Sequence, residues 1–152
     1  MMIIQIDDAG RKRAISREVL EDLPEWFGIL ESMEEYIRES GKLPFFAAVE
    51  EGCVLGFMVM KETSPYTCEI YVTGVKKRVH RCGTGRAMFA AFEAYARKHG
   101  YQMVQVKTVA PGHYPEYDAT VAFYRSVGFL PLEVFPTLWD ENNPCLILVK
   151  PL

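Results

Sequence analysis

Between Lys76 and Arg86 the chain carries five basic side chains, Lys76, Lys77, Arg78, Arg81 and Arg86, with no acid and two glycines, Gly83 and Gly85. Directly after them, Met88, Phe89, Phe92, Tyr95 and Ala96 recur at helical spacing and describe one apolar face. Upstream, Glu69-Ile70-Tyr71-Val72-Thr73 is β-branched and aromatic, which predicts a strand. A strand, a basic glycine turn and a helix, in that order, can bind a bulky anion. The first amides of a helix have no carbonyl to donate to, and the positive end of its dipole points the same way. Glycines let the backbone approach closely. A basic run on a solvated face is the plainer reading of the same residues.

Two nucleotide-binding patterns are excluded. No Gly-x-x-x-x-Gly-Lys-Ser/Thr occurs, and Met88 stands where a dinucleotide-binding turn needs its third small residue. Composition narrows the field further. The 152 residues suit one domain with a full core, with 49% hydrophobic and 24% charged residues as in ordinary globular proteins. A net charge of −3 argues against a general nucleic-acid binder. Arg17 to Glu39 holds eight acids against two bases, read either as a solvated helix face or as an attractor for a cationic substrate. Cys53, Cys68, Cys82 and Cys145 are scattered, and with His80, His99 and His113 they form no metal-ligand spacing. Cys53 and Cys68 fall in strand-like runs and are expected in the core. No signal peptide or membrane-length apolar run is visible, so a reducing cytoplasm is the expected compartment.

The elements that must position the turn follow the chain. Ile3 to Ile6 predicts a first strand. Ser16 is a candidate helix cap, with Val19, Leu20 and Leu23 on one face and Pro24 limiting the turn. Trp26-Phe27, unusually aromatic for a polar region, is either core packing or a wall of a substrate pocket. Met33, Tyr36 and Ile37 predict a second helix ending near Gly41. Phe45–Val49 and Val54–Met60 flank Glu51-Gly52 as a hairpin. The strand carrying Glu69 comes next, with Gly74 marking a bulge. Beyond the long helix, a strand is expected at Met103–Thr108, then a helix on Thr120, Phe123, Tyr124 and Val127, closed by Gly128. Phe129–Phe135 and Leu146–Lys150 are the last two strands, joined by a loop from Pro136 to Pro144. The order predicts an α/β fold: one mixed sheet of about seven strands with about four helices on its faces.

The turn resembles the pyrophosphate loop of the GNAT (Gcn5-related) N-acetyltransferases, Gln/Arg-x-x-Gly-x-Gly/Ala after a strand with a hydrophobic end. His80 stands at the Gln/Arg place, Arg81 one place later, and Val75 at the hydrophobic place. A second stretch, Tyr124-Arg125-Ser126-Val127-Gly128-Phe129, resembles the family's Tyr-x-x-x-Gly-Phe signature at the expected distance and order. Tyr117 replaces the usual Asn seven residues before that tyrosine, with Asp118 as a substitute. The resemblance covers nearly the whole chain and implies a single GNAT-like domain over residues 1–152. It implies acetyl-CoA as cosubstrate, held by Val75, His80, Arg81, Cys82, Gly83, Thr84, Gly85 and Arg86, with no metal.

The implied reaction is direct transfer of acetyl to a primary amine of a small molecule, peptide or protein. An alkylamine has an ordinary pKa of about 10.4, so its proton must be removed. Glu69, six residues before Val75, matches the glutamate that the histone-acetylating branch uses as base; Glu62, His113 and Glu116 are reserves. Tyr124 is the implied proton donor to the departing thiolate, although it also belongs to the helix's apolar face. A backbone N–H near Val75 would meet the developing oxyanion. Trp26, Phe27 and Trp139 are candidate walls for the acceptor. The alternatives are a non-catalytic CoA-binding sensor and a protein-interaction domain presenting the aromatic loop Thr137-Leu138-Trp139-Asp140. No membrane partner is expected, and a homodimer is compatible with the reading.

Overall fold

The computed structural model describes residues Met1–Leu152. Four helices and seven strands run in the order β1 (Met2–Ile6), α1 (Ala9–Glu21), α2 (Leu30–Ser40), β2 (Phe45–Glu50), β3 (Cys53–Ser64), β4 (Thr67–Val75), α3 (Thr84–Lys98), β5 (Met103–Val109), α4 (Pro115–Ser126), β6 (Leu130–Asp140) and β7 (Asn143–Pro151). One 3-10 turn, Lys77–Val79, leads from β4 towards α3. All strands join one sheet in the order β1-β2-β3-β4-β5-β7-β6, antiparallel except for β4 beside β5. The mixed sheet and the helix count match the sequence expectation.

The sheet is buried on both faces at its centre, which explains the unbroken apolar run of β3. Phe57 and Val59 face a core shared with Val19, Leu20 and Leu23 of the α1 region and Ile37 of α2. Met58 and Met60 face the opposite core with Met88, Phe89 and Phe92 of α3 and Tyr124 of α4. Glu51 and Gly52 both have positive φ (51° and 78°), the two-residue hairpin that Glu-Gly predicts.

Several expectations are corrected. Asp8 caps α1 by accepting from Arg11 N–H at 2.8 Å, and Ser16 lies buried inside the helix, bonded back to Lys12 carbonyl. Asp8 is extended and directly precedes the helical run, where a side-chain oxygen can reach the first free amides, whereas Ser16 lies two turns inside it. Cys53 is exposed at the hairpin end, whereas Cys68 is buried. The bulge in β4 is at Tyr71, where Val59 pairs with Val72 and Met60 with Ile70; Gly74 stays in register opposite Phe57. Gly74 is small because a Cβ there would lie 3.0 Å from Leu23 and 3.1 Å from Val19. The loop expected at Pro136–Pro144 is strand, closed by the two residues Glu141 and Asn142. Asp140 holds that turn by accepting from Asn142 N–H (2.9 Å) and Asn143 Nδ2 (3.0 Å). Pro131 and Pro136 fit because β6 is an edge strand.

The tightest backbone approach is at Gly56, where a Cβ would lie 2.7 Å from Gly74 carbonyl oxygen and 3.3 Å from Val75 Cα. Gly56→Ala is therefore expected to lower unfolding stability by about 1–3 kcal/mol, an overpacking cost measured by urea denaturation.

Candidate functional site

Parallel pairing between β4 and β5 is short. Thr67, Cys68 and Glu69 pair with Met103, Val104 and Gln105, and beyond that rung the two strands part. Past the split, β5 keeps β7 as neighbour and β4 keeps β3, so their facing edges are open. Lys76 N–H donates to Leu55 carbonyl at 2.8 Å, and strand alternation turns the N–H and C=O of Val75 the other way, towards the gap. His80 Nε2 donates to that Val75 carbonyl at 2.6 Å, leaving the Val75 N–H. A cavity of about 1370 Å³ fills the gap and opens to solvent. Val75, His80, Arg81, Gly83, Thr84, Gly85 and Arg86 line one end of it.

Gly83 adopts φ +82° at the N-cap of α3, and Arg81 is also left-handed at φ +63°. The first helical bond is Ala87 N–H to Gly83 carbonyl, and the amides of Gly83, Thr84, Gly85 and Arg86 find no carbonyl in the chain. Four donors and a helix dipole therefore meet at one end of the cavity. The two glycines serve different needs. Gly83 is there for its backbone conformation, with open space where a Cβ would be. Gly85 is there for packing, since a Cβ would lie 3.1 Å from the Phe123 ring of α4. Cys82 is a correction: its side chain is outside the cavity wall and its N–H already donates to Val79 carbonyl at 3.3 Å.

The basic run divides as well. Lys76 pairs with Glu18 of α1, Lys77 pairs with Glu25, and Lys77 N–H donates to Asp22 at 2.8 Å. These two lysines bind the acidic segment to the end of β4. Arg86 reaches Ser126 Oγ at 3.3 Å, tying α3 to α4. Arg81, exposed and without an acidic partner, and Arg86, held only by neutral Ser126, are the cations left at that end of the cavity.

The rest of the wall is aromatic. Trp26 spans the gap: its Nε1 donates to Glu116 carbonyl and Thr120 Oγ1, both at 3.3 Å, while Tyr117 hydroxyl donates to Trp26 carbonyl at 2.8 Å. Its ring also meets His80 edge-on at 5.8 Å. Tyr117, at the place of the family's Asn, thus serves as a latch, and Asp118 instead accepts from Gly112 N–H outside the cavity. Phe27, Tyr36 and Tyr71 form a chain of edge contacts at 5.9 and 5.3 Å, and Trp139 lines the same cavity from β6. Tyr36 and Tyr71 were missed by sequence reading because each sits in an apolar pattern that packing alone explains.

Tyr124 lines the cavity, and its hydroxyl has no protein partner; burial raises its pKa well above that of a free phenol. Glu69 is not on the wall. It is buried behind Lys107, which is: Lys107 Nζ lies 3.2 Å from Glu69 Oε2, and Gln105 Nε2 donates to the same oxygen at 2.9 Å. Of the reserve bases, Glu116 lines the cavity, Glu62 accepts from Tyr101 hydroxyl at 2.8 Å elsewhere, and His113 is exposed outside it.

A model of the acetyltransferase (GNAT) family matches residues 12–129. The chain belongs to that family. Solved structures place the GNAT fold over its whole length: a GNAT-family protein from Desulfovibrio desulfuricans superposes with TM-score 0.85 at 17% identity, covering 99% of both chains. Ribosomal-protein-alanine N-acetyltransferase from Brucella melitensis gives 0.72 at 21%, covering 100% of both. A GNAT acetyltransferase from Elizabethkingia anophelis, solved with acetyl-CoA bound, gives 0.67 at 15%, covering 86% of this chain and 88% of its own. No curated protein sequence matches the chain. No helix of this GNAT domain is long and apolar enough to cross a membrane.

The amide array predicts that inorganic pyrophosphate raises the melting temperature, because it binds only the folded chain. Gly83→Val is expected to abolish the shift. Lys76→Ala is expected to keep it, since that lysine is held by Glu18; differential scanning fluorimetry reads both.

Proposed function

We propose that the protein is an acetyl-CoA-dependent N-acetyltransferase acting on a primary amine of a small molecule, peptide or protein. The observation that carries this is the split between β4 and β5, with unpaired amides at one end and the Tyr124 phenol on its wall. The acetyl-CoA named with the Elizabethkingia neighbour supports the donor. Two groups fit it: the unsatisfied amides of Gly83 to Arg86 suit its pyrophosphate, and the open edge of β4 suits its amide-bearing arm. Acetyl-CoA supplies an activated thioester. A nitrogen–carbon bond forms as the carbon–sulfur bond breaks, the amine proton leaves to solvent or a base, and the thiolate takes a proton.

In this reading the Val75 N–H faces the charge that develops on the thioester oxygen. Tyr124 stays protonated through neutral pH and gives its proton to the leaving sulfur. Because Glu69 is set back behind Lys107, it takes the amine proton through water, without direct contact. The aromatic wall of Trp26, Phe27 and Trp139 holds the acceptor's carbon skeleton. The scattered thiols fit a reducing cytoplasm.

Thiol release from acetyl-CoA across a panel of amines tests the function directly; no release with any amine, despite CoA binding, would leave the sensor reading. With an active acceptor, Tyr124→Phe is expected to lower turnover by about 10- to 1000-fold while the fold holds. The sign of the pH dependence follows from burial. A raised phenol pKa keeps the acid form, so the wild-type rate should climb as the amine deprotonates and show no Tyr124-linked fall below about pH 10. Glu69→Gln is expected to lower turnover by about 10- to 100-fold with unchanged CoA affinity. Coincident pH–rate profiles for Glu69→Gln and wild type would move the role to Glu116.

A further inference from the structure

Two buried side-chain oxygens lack a hydrogen-bond partner, Glu93 Oε2 and Thr108 Oγ1. Glu93 has charge partners, with Lys150 Nζ beside that oxygen and Arg97 Nη2 at 3.8 Å. Thr108 has none. It is only 4% exposed, yet it lines the cavity between β4 and β5. A buried hydroxyl without a partner is destabilising, and a valine of nearly the same shape would avoid that cost. Packing therefore gives no reason for a hydroxyl at this place.

Position says what it would meet. The last β4–β5 rung is Glu69 opposite Gln105, so Thr108 lies three residues, or roughly 10 Å, beyond the split. Val104, Val106 and Thr108 share one face by strand alternation, and Thr108 pairs with Leu146, which packs in the same core as Tyr124. Thr108 thus stands along the open arm of the cleft, on the side that carries the phenol. Rotation about χ1 carries the hydroxyl through three staggered positions, so the oxygen can turn to a ligand in the cavity that Thr108 lines without moving β5. We infer that Thr108 is a binding residue for the acyl donor, its hydroxyl forming a hydrogen bond with an amide of the pantetheine arm. A hydroxyl both donates and accepts, so it suits an amide N–H or C=O equally. The inference rests on the acetyl-CoA reading.

The test compares wild type, Thr108→Val and Thr108→Ser by thermal melting without ligand and by calorimetric titration with acetyl-CoA and with CoA. Thr108→Val is expected to raise the ligand-free melting temperature by about 2–4 °C. The same variant is expected to weaken both ligands by about 3- to 10-fold, because both carry the arm. Thr108→Ser, which keeps the hydroxyl, should bind within twofold of wild type. If wild type and Thr108→Val bind equally, the inference falls while the function stands. A lower melting temperature for Thr108→Val with unchanged affinity also overturns it, since the hydroxyl would then have a structural partner. If wild type binds neither ligand, the acetyl-CoA reading falls and takes the inference with it.

Discussion

The short pairing between β4 and β5 is the constraint on which this molecule depends. Parallel neighbours joined by α3 pair for three residues, Thr67–Glu69 with Met103–Gln105, and then separate. Backbone N–H and C=O groups cannot be buried unpaired at low cost, so the open edge of β4 must face water or a ligand with its own amides. A cleft is the consequence. The bulge at Tyr71 deepens it, since an extra residue in β4 bends the strand away from β5 and sends Tyr71 and Val72 towards the same core. The start of α3 lies at the end of the open β4 edge, α4 packs on the β5 arm, and Trp26 bridges the two.

Charge fixes the parts around that cleft more than it stabilises them. The acidic stretch through α1 and the basic run after β4 meet at Glu18–Lys76 and Glu25–Lys77. With the exception of the Lys76 side chain, these groups are 43–51% exposed, where solvent screening leaves an ion pair little net stabilisation. Their effect is positional. They hold the segment leading to Trp26 against the end of β4, and they remove two of five cations from the anion site. What remains there is four amides and a helix dipole, with Arg81 and Arg86 beside them.

The same division appears between the carboxylates and phenols of the cleft. Glu69 has its charge compensated by Lys107 and a hydrogen bond from Gln105, so it is a set-back group. Tyr124 is the reverse case, a buried residue on the cavity wall whose hydroxyl has no protein partner and whose proton burial makes hard to remove. The proposed reaction takes a proton from an amine and returns one to a thiolate, and groups separated in this way suit it. The aromatic rings of Phe27, Tyr36 and Tyr71 line the same cavity without supplying further charge.

What the sequence determined by itself was local. The Glu51-Gly52 hairpin, the apolar face of α3, the glycine turn before it and the Tyr124 to Phe129 signature were legible because turn conformation, helical period and motif spacing are properties of neighbouring residues. The two-residue turn at Glu141-Asn142 was not, because Pro136 looks like a breaker until β6 is known to be an edge strand, and Pro144 until it is placed at the start of β7. Tertiary structure alone decided which charges were free. Lys76 and Lys77 belong to the basic run in sequence, but their partners, more than fifty residues away, take them up. It also decided that Gly85 answers to Phe123, that Tyr117 latches Trp26 across about ninety residues, and that Glu69 stands behind Lys107. These are contacts between distant elements, and the register and crossing of those elements are set by packing of the whole sheet, which no local pattern encodes.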